Sequence, residues 1–185
     1  MTQDSTTVRV WDLPVRLFHW LMVASFAGAW LTAESERWRL VHVWCGYTMA
    51  GLVAFRLLWG VVGPRHARFA SFVRGPRAVA AYVRGLIAGR APYFEGHNPA
   101  GAVAIVALLG LAALTTALGW ANYNDLGGEW LEEAHEAAAS AMLFVVGVHL
   151  VGVLVGSLAH GENLVRAMIT GRKPVHAEAD APQGR

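Results

Sequence analysis

Four long apolar runs, Leu17–Ala33, Val41–Val62, Ala100–Ala121 and Ala137–Ala159, constrain this chain more than any other feature. Crossing the hydrocarbon core of a bilayer takes about 20 residues of helix, and all four runs fall near that length. The third run carries no charged residue, the fourth carries only His149, and the second is interrupted late by Arg56. The pattern predicts an all-α fold, an integral membrane four-helix bundle with spans near 15–33, 40–62, 99–121 and 133–159. Composition agrees. Hydrophobic residues make up 55% of the chain and charged residues 15%, against about 25% charged in soluble domains. The first run also resembles a secretory signal, since Arg9 and Arg16 precede it and small residues follow. His19, Trp20 and Trp30 within it suit a permanent span better.

The net charge is only +2, and its distribution says more than its sum. Arg65, Arg68, Arg74, Arg77, Arg84 and Arg90 lie between the second and third runs. Arg166, Arg172, Lys173 and Arg185 lie in the tail, and Arg9 and Arg16 in the head. The opposite side holds Arg37 and Arg39 among Glu34, Glu36, Asp125, Glu129, Glu132 and Glu133. Positive residues stay cytoplasmic, so both termini and the long loop are expected in the cytoplasm. These arginines do not read as an aromatic-interleaved basic patch of the nucleic-acid-binding kind, so no nucleic-acid partner is expected. From Pro76, the residues Val79, Tyr82, Val83, Leu86 and Ile87 share one helical face among Arg77, Arg84 and Arg90. That is the pattern of a short cytoplasmic helix lying in the membrane interface, where membrane lipid is the partner. Residues 1–173 form the expected membrane domain, and the polar stretch 174–185 is expected to be a disordered cytoplasmic tail.

Cys45 is the one cysteine. A single thiol excludes an intrachain disulfide, a thiolate zinc site, an iron–sulfur cluster and the paired-cysteine attachment of a c-type haem. Cys45 itself reads as a small buried apolar residue.

The chemistry therefore falls to the histidines. His66, His97, His160 and His176 sit on the cytoplasmic side in polar sequence, whereas His19, His42, His135 and His149 lie within or at the ends of the spans. Ionisable rings in a membrane are costly, which makes them functional candidates. The fourteen residues between His135 and His149 leave the two about 40° apart around the helix and about 21 Å apart along it. One ion cannot bridge that gap, but two cofactors stacked in the two halves of the bilayer can use both rings. His42 begins the second span level with His135, and His19 lies fourteen residues below Ala33, level with His149. Two bis-histidine haem b sites follow, His42 with His135 and His19 with His149. Arg56 lies at the inner level. It reads equally as the counter-charge of a haem propionate and as an arginine snorkelling from a helix end. Glycines 28, 46, 51, 147, 152 and 156 suit flat macrocycles and close helix packing alike. His135-Glu136 lacks the second histidine of a zinc-protease motif, because position 139 is Ala. A proton relay would prefer carboxylates in the spans, and there are none.

The run Val10-Trp11-Asp12-Leu13-Pro14-Val15-Arg16-Leu17-Phe18-His19-Trp20 resembles the start of the first helix in bacterial cytochrome b561 proteins and nickel–iron hydrogenase b-type cytochrome subunits. Phe55-Arg56-Leu57-Leu58-Trp59-Gly60, Gly96-His97-Asn98-Pro99 and Glu162-Asn163-Leu164-Val165-Arg166-Ala167-Met168 fit the same family, so the likeness spans roughly residues 8–173. It implies a dihaem cytochrome of the bacterial cytoplasmic membrane that exchanges electrons between quinone and a redox partner, such as a c-type cytochrome or a hydrogenase-like subunit. His97, Asn98 and Asn163 offer hydrogen bonds to a quinone, and helix capping is their plainer role. The acidic stretch Asp125–Glu136 reads as a steering surface for a basic partner or as a solvated loop. Two other classes stay open: an oxidoreductase acting on a small species such as superoxide, and a membrane anchor for a larger oxidoreductase. A non-haem transporter would be colourless.

Overall fold

A computed structural model describes residues 7–90 and 92–174. A short strand β1 (Thr7–Arg9) leads into α1 (Leu13–Thr32), a 3₁₀ turn at Glu36–Trp38 and α2 (Arg39–Val62). A second 3₁₀ turn, Arg65–Ala67, precedes α3 (Phe69–Phe72) and α4 (Pro76–Ile87). Then come α5 (Pro99–Tyr123), α6 (Trp130–His160), α7 (Leu164–Thr170) and β2 (Arg172–Pro174).

Local chemistry sets the helix ends. Asp12 caps α1 by accepting from the Val15 amide at 3.1 Å, with Pro14 in the first turn. Asn98 caps α5 by accepting from Gly101 at 2.7 Å, and Pro99 follows it where no amide donor is needed. Asn163 caps α7 through Arg166 at 2.7 Å. The plainer reading of Asn98 and Asn163 is thus the one the structure displays. Gly161 ends α6 with a φ of 64°, a left-handed conformation that suits glycine.

The helices pack in sequence around a shared core, α1 on α2, α2 on α5 and α5 on α6. Met49 and Val53 of α2, Leu109 and Ala112 of α5, and Met142 of α6 form its buried centre, with Phe18, Met22 and Phe26 of α1 against it. Large apolar residues also cover the outside, among them Leu31, Trp44, Val61, Phe144, Leu150 and Leu158. In water such a surface is a liability, whereas lipid solvates it. Three segments are long and apolar enough to cross a membrane: Glu36–Val62, Pro99–Tyr123 and Trp130–His160. The 20-residue α1 is not among them, because Arg16, His19, Ser25 and two tryptophans dilute its apolar character. In α4, Tyr82 is buried and Val79 and Leu86 half-buried as the amphipathic pattern predicts, while Val83 and Ile87 stay exposed.

One departure from the all-α expectation is a small antiparallel sheet, β1 with β2, that pairs Val8 with Lys173. Three-residue strands have no detectable periodicity and exist only because tertiary packing brings them together. Here Val10 and Trp11 pack on Ala167, and their amides donate to Gly171 O at 2.9 and 3.1 Å. Both end segments therefore meet at one end of the bundle. Pro174, placed by sequence in the disordered tail, belongs to β2, and residues 175–185 lie outside the described residues.

Candidate functional site

At one end of the bundle His42 of α2 and His135 of α6 face each other, with ring centroids 6.1 Å apart and planes at 74°. Each ring is held from behind. His42 Nδ1 lies 2.8 Å from Ala29 O, and His135 Nδ1 lies 2.9 Å from Thr115 O. A carbonyl can only accept, so each Nδ1 carries the proton and each Nε2 keeps its lone pair. Ala29 is in the last turn of α1, where carbonyls lack a helical amide partner; its oxygen also accepts from Thr32 Oγ1 at 3.3 Å. Gly119 gives the His135 ring its space, since a Cβ there would come within 2.8 Å of Cε1. Metal–imidazole bonds are about 2 Å long, so two such bonds plus two ring radii come to about 6 Å. The observed separation matches that sum. One turn after His42, nothing lies within 4 Å of a side chain built on Gly46, so there is room beside the pair.

The second level is built differently. His19 of α1 and His149 of α6 are near enough to interact electrostatically, although α1 and α6 are not among the closely packed helix pairs. His19 Nδ1 is buried without a hydrogen-bond partner, unlike its counterparts at the other end. Open space again adjoins the level at Gly152, three residues after His149. Arg56 of α2 is 2% exposed, so its guanidinium does not reach water and the snorkelling alternative falls. Its Cζ sits 4.7 Å from the Phe69 ring, and its NH1 has no hydrogen-bond partner. The nearby Asp12 does not pair with it. One carboxylate oxygen caps α1 and the other accepts from Trp59 Nε1 at 2.7 Å.

His97 needs correcting. Sequence placed it in polar cytoplasmic surroundings, but its ring lies between Trp11 and Phe72, 4.4 Å from each centroid, and its Nδ1 is sealed from solvent. Burial, and then the neighbouring Arg56, Lys173, His66 and His149, push its pKa down to about 3. Beside it, Lys173 pairs with Glu162 at 3.2 Å, the one ion pair among the described residues. Burial, followed by Glu162 and Glu95, pushes Tyr93 up to about 12. Of the glycines weighed for macrocycle contact, Gly28 and Gly156 instead fit against Cys45 and Leu164.

Among the described residues no cluster of three or more His, Cys, Asp or Glu side chains could hold a bare metal ion. Two imidazoles leave an ion undercoordinated unless a macrocycle supplies the remaining donors, so the donor set fits haem. Apolar helices that lipid must solvate, with two histidine rings facing each other across them, are the frame of a membrane b-type cytochrome. The match to the family model for prokaryotic cytochrome b561 covers residues 10–171, and the chain belongs to that family, whose members are haem-bearing electron carriers of the membrane. Neither curated proteins nor solved structures match the chain significantly.

Proposed function

We propose that the chain is a four-span dihaem cytochrome that carries electrons across the bacterial cytoplasmic membrane between quinone and a redox partner. The observation that carries this reading is the His42–His135 pair, 6.1 Å apart with both Nδ1 atoms tied to backbone carbonyls. His42 and His135 hold the outer haem and His19 and His149 the inner one, each haem supplying a one-electron carrier when bound. Tying Nδ1 to a carbonyl orients the imidazole and raises its basicity toward iron. A haem held by two imidazoles would have no place on iron open to small ligands, which would favour electron transfer over iron-centred catalysis. Arg56, a buried cation with no counter-ion, receives a propionate of the inner haem; such a charge is costly until an anion joins it.

In this reading α1 is the fourth span and completes a four-helix bundle. Its tryptophans and His19 trade hydropathy for a cofactor wall. The pairing of β1 with β2 supports a layout with both end segments on one side, and the arginine-rich segment from Arg65 to Arg90 supports the cytoplasm as that side. The helix α4 lies along the same interface. Quinone is supported by an apolar groove of about 540 Å³ along α6 and the start of α7. Its walls are Leu150, Val153, Leu154 and Leu158, and Ser157 and Glu162 give it a polar end. At the outer end Asp125, Glu129, Glu132, Glu133 and Glu136 are exposed around His135, a surface suited to a basic soluble partner such as a c-type cytochrome.

Haem quantification with a reduced-minus-oxidised visible spectrum tests the assignment. Two haems b per chain are expected, with one lost selectively in His149→Leu or His19→Leu. A colourless preparation, or two haems retained in both variants, overturns it.

A further inference from the structure

The inner end holds several buried polar atoms without hydrogen-bond partners, and two of them belong to large side chains packed in one frame. Arg56 NH1 and His97 Nδ1 are both sealed from water and both lack a hydrogen-bond partner. Unpaired buried donors of this kind are rare in folded chains, because each costs about 1–3 kcal/mol and a charged one more. They belong to one aromatic frame. Arg56 sits over Phe69, Phe69 meets Phe72 at 5.8 Å, and Phe72 together with Trp11 clamps the His97 ring. The frame is assembled on purpose by the sequence, since a side chain on Gly60 would occupy the place of Phe69. The nearby Asp12 has both oxygens committed, and Glu162 pairs through Oε1 with Lys173 and makes no hydrogen bond to either group.

We propose that His97 is the second arm of a carboxylate receptor for the inner haem, donating a neutral hydrogen bond to the propionate that Arg56 meets with charge. The proposal rests on the dihaem reading. A clamped imidazole is suited to this role. Its ring cannot swing away, and a neutral donor adds direction without placing a third cation beside Arg56 and Lys173. His97 would thus be a positioning residue that acts on the inner iron through the propionate, stabilising the reduced haem by drawing charge from the carboxylate. A lipid phosphate is the other oxyanion that could reach such donors.

The test uses the full-length holoprotein in nanodiscs of zwitterionic phosphatidylcholine, with redox titration of each haem and resonance Raman of the propionate bending modes. In His97→Leu the inner haem is expected to become about tenfold harder to reduce, a fall of about 59 mV for one electron, with a shifted propionate mode. The outer haem should not change. His97→Gln, which keeps an N–H donor, should restore most of the shift, and His66→Gln should show none. An unaltered inner potential and propionate mode in a two-haem His97→Leu protein would overturn the proposal. So would effects that appear only after anionic phosphatidylglycerol is added. If His97→Leu does not accumulate, the same readings on His97→Phe, which keeps an aromatic ring between Trp11 and Phe72 and removes the donor, decide: a native inner potential and propionate mode in a two-haem His97→Phe protein count against the receptor. A wild-type protein with fewer than two haems per chain would instead defeat the dihaem reading, which the haem count reveals separately.

Discussion

The outer and inner levels of the bundle use the same residue type and differ in what stands behind it. At the outer level each imidazole is tied to a carbonyl, His42 to Ala29 and His135 to Thr115, and the facing rings are already at a ligating separation. At the inner level His19 Nδ1 has no partner, and the surroundings hold surplus donors and a buried cation. Backbone dipoles orient ligands and set the outer geometry in advance. Surplus donors at the inner level call for an anion, and so couple ligand geometry to the cofactor that brings one. If the chain carries two haems as proposed, unequal surroundings of equal ligands are a direct way to set their potentials apart.

The largest expected effect breaks the comparison outright. His42→Leu or His135→Leu should remove the outer haem and leave the inner, while His19→Leu or His149→Leu should do the reverse, each halving haem per chain. Because its rings keep their backbone anchors, the surviving outer haem should hold its native low-spin spectrum. The surviving inner one should too if the levels are independent. A variant at one level that empties both would show that the levels fold as one unit.

Next in size is the ion pair beneath the inner level. Lys173 and Glu162 are 4% and 3% exposed at their side chains and tie β2 to the α6–α7 turn. Removing one partner leaves a buried charge alone, so Lys173→Met should cost about 3–5 kcal/mol in thermal unfolding, whereas Lys173→Met with Glu162→Leu should recover most of it. A loss in the double variant equal to the sum of the losses in Lys173→Met and Glu162→Leu would mean that the pair has no coupling. Arg56→Gln follows. Removing a cation makes the reduced haem less favourable, so the inner potential should fall. A charged hydrogen bond of about 1.5–3 kcal/mol corresponds to about 65–130 mV for one electron, and the outer haem should move far less.

What could be read in advance follows from what is local. Apolar run lengths and the fourteen-residue spacings are properties of one helix at a time, so the long helices were legible, and so was the facing of His42 and His135. The carbonyl anchors were not, because Ala29 and Thr115 lie 13 and 20 residues from the rings they hold. His97 was misjudged for a similar reason. Its flanking residues are polar, but the groups that enclose it, Trp11 and Phe72, come from distant parts of the chain. Gly119 escaped attention since only its contact with His135 distinguishes it from the other small residues of α5. The strands β1 and β2 are too short to carry a pattern at all.

Gly119 offers the finest probe of the contrast between levels. A methyl group there would lie 2.8 Å from His135 Cε1 and 3.0 Å from Nδ1, so the ring must turn or retreat. Retreat would stretch the 2.9 Å hydrogen bond to Thr115 and tilt the imidazole that the outer site presents. Overpacking of this kind costs about 1–3 kcal/mol, enough to weaken the outer site without abolishing it. Gly119→Ala should therefore keep two haems per chain and the native inner potential, while shifting the low-spin electron paramagnetic resonance signal of the outer haem alone. Gly110→Ala, on the same helix with open space around it, should leave both signals unchanged. Identical spectra for the two variants would mean that the outer imidazole is not held as tightly as its anchors suggest, and the distinction between a pre-set level and a cofactor-set one would lose its basis.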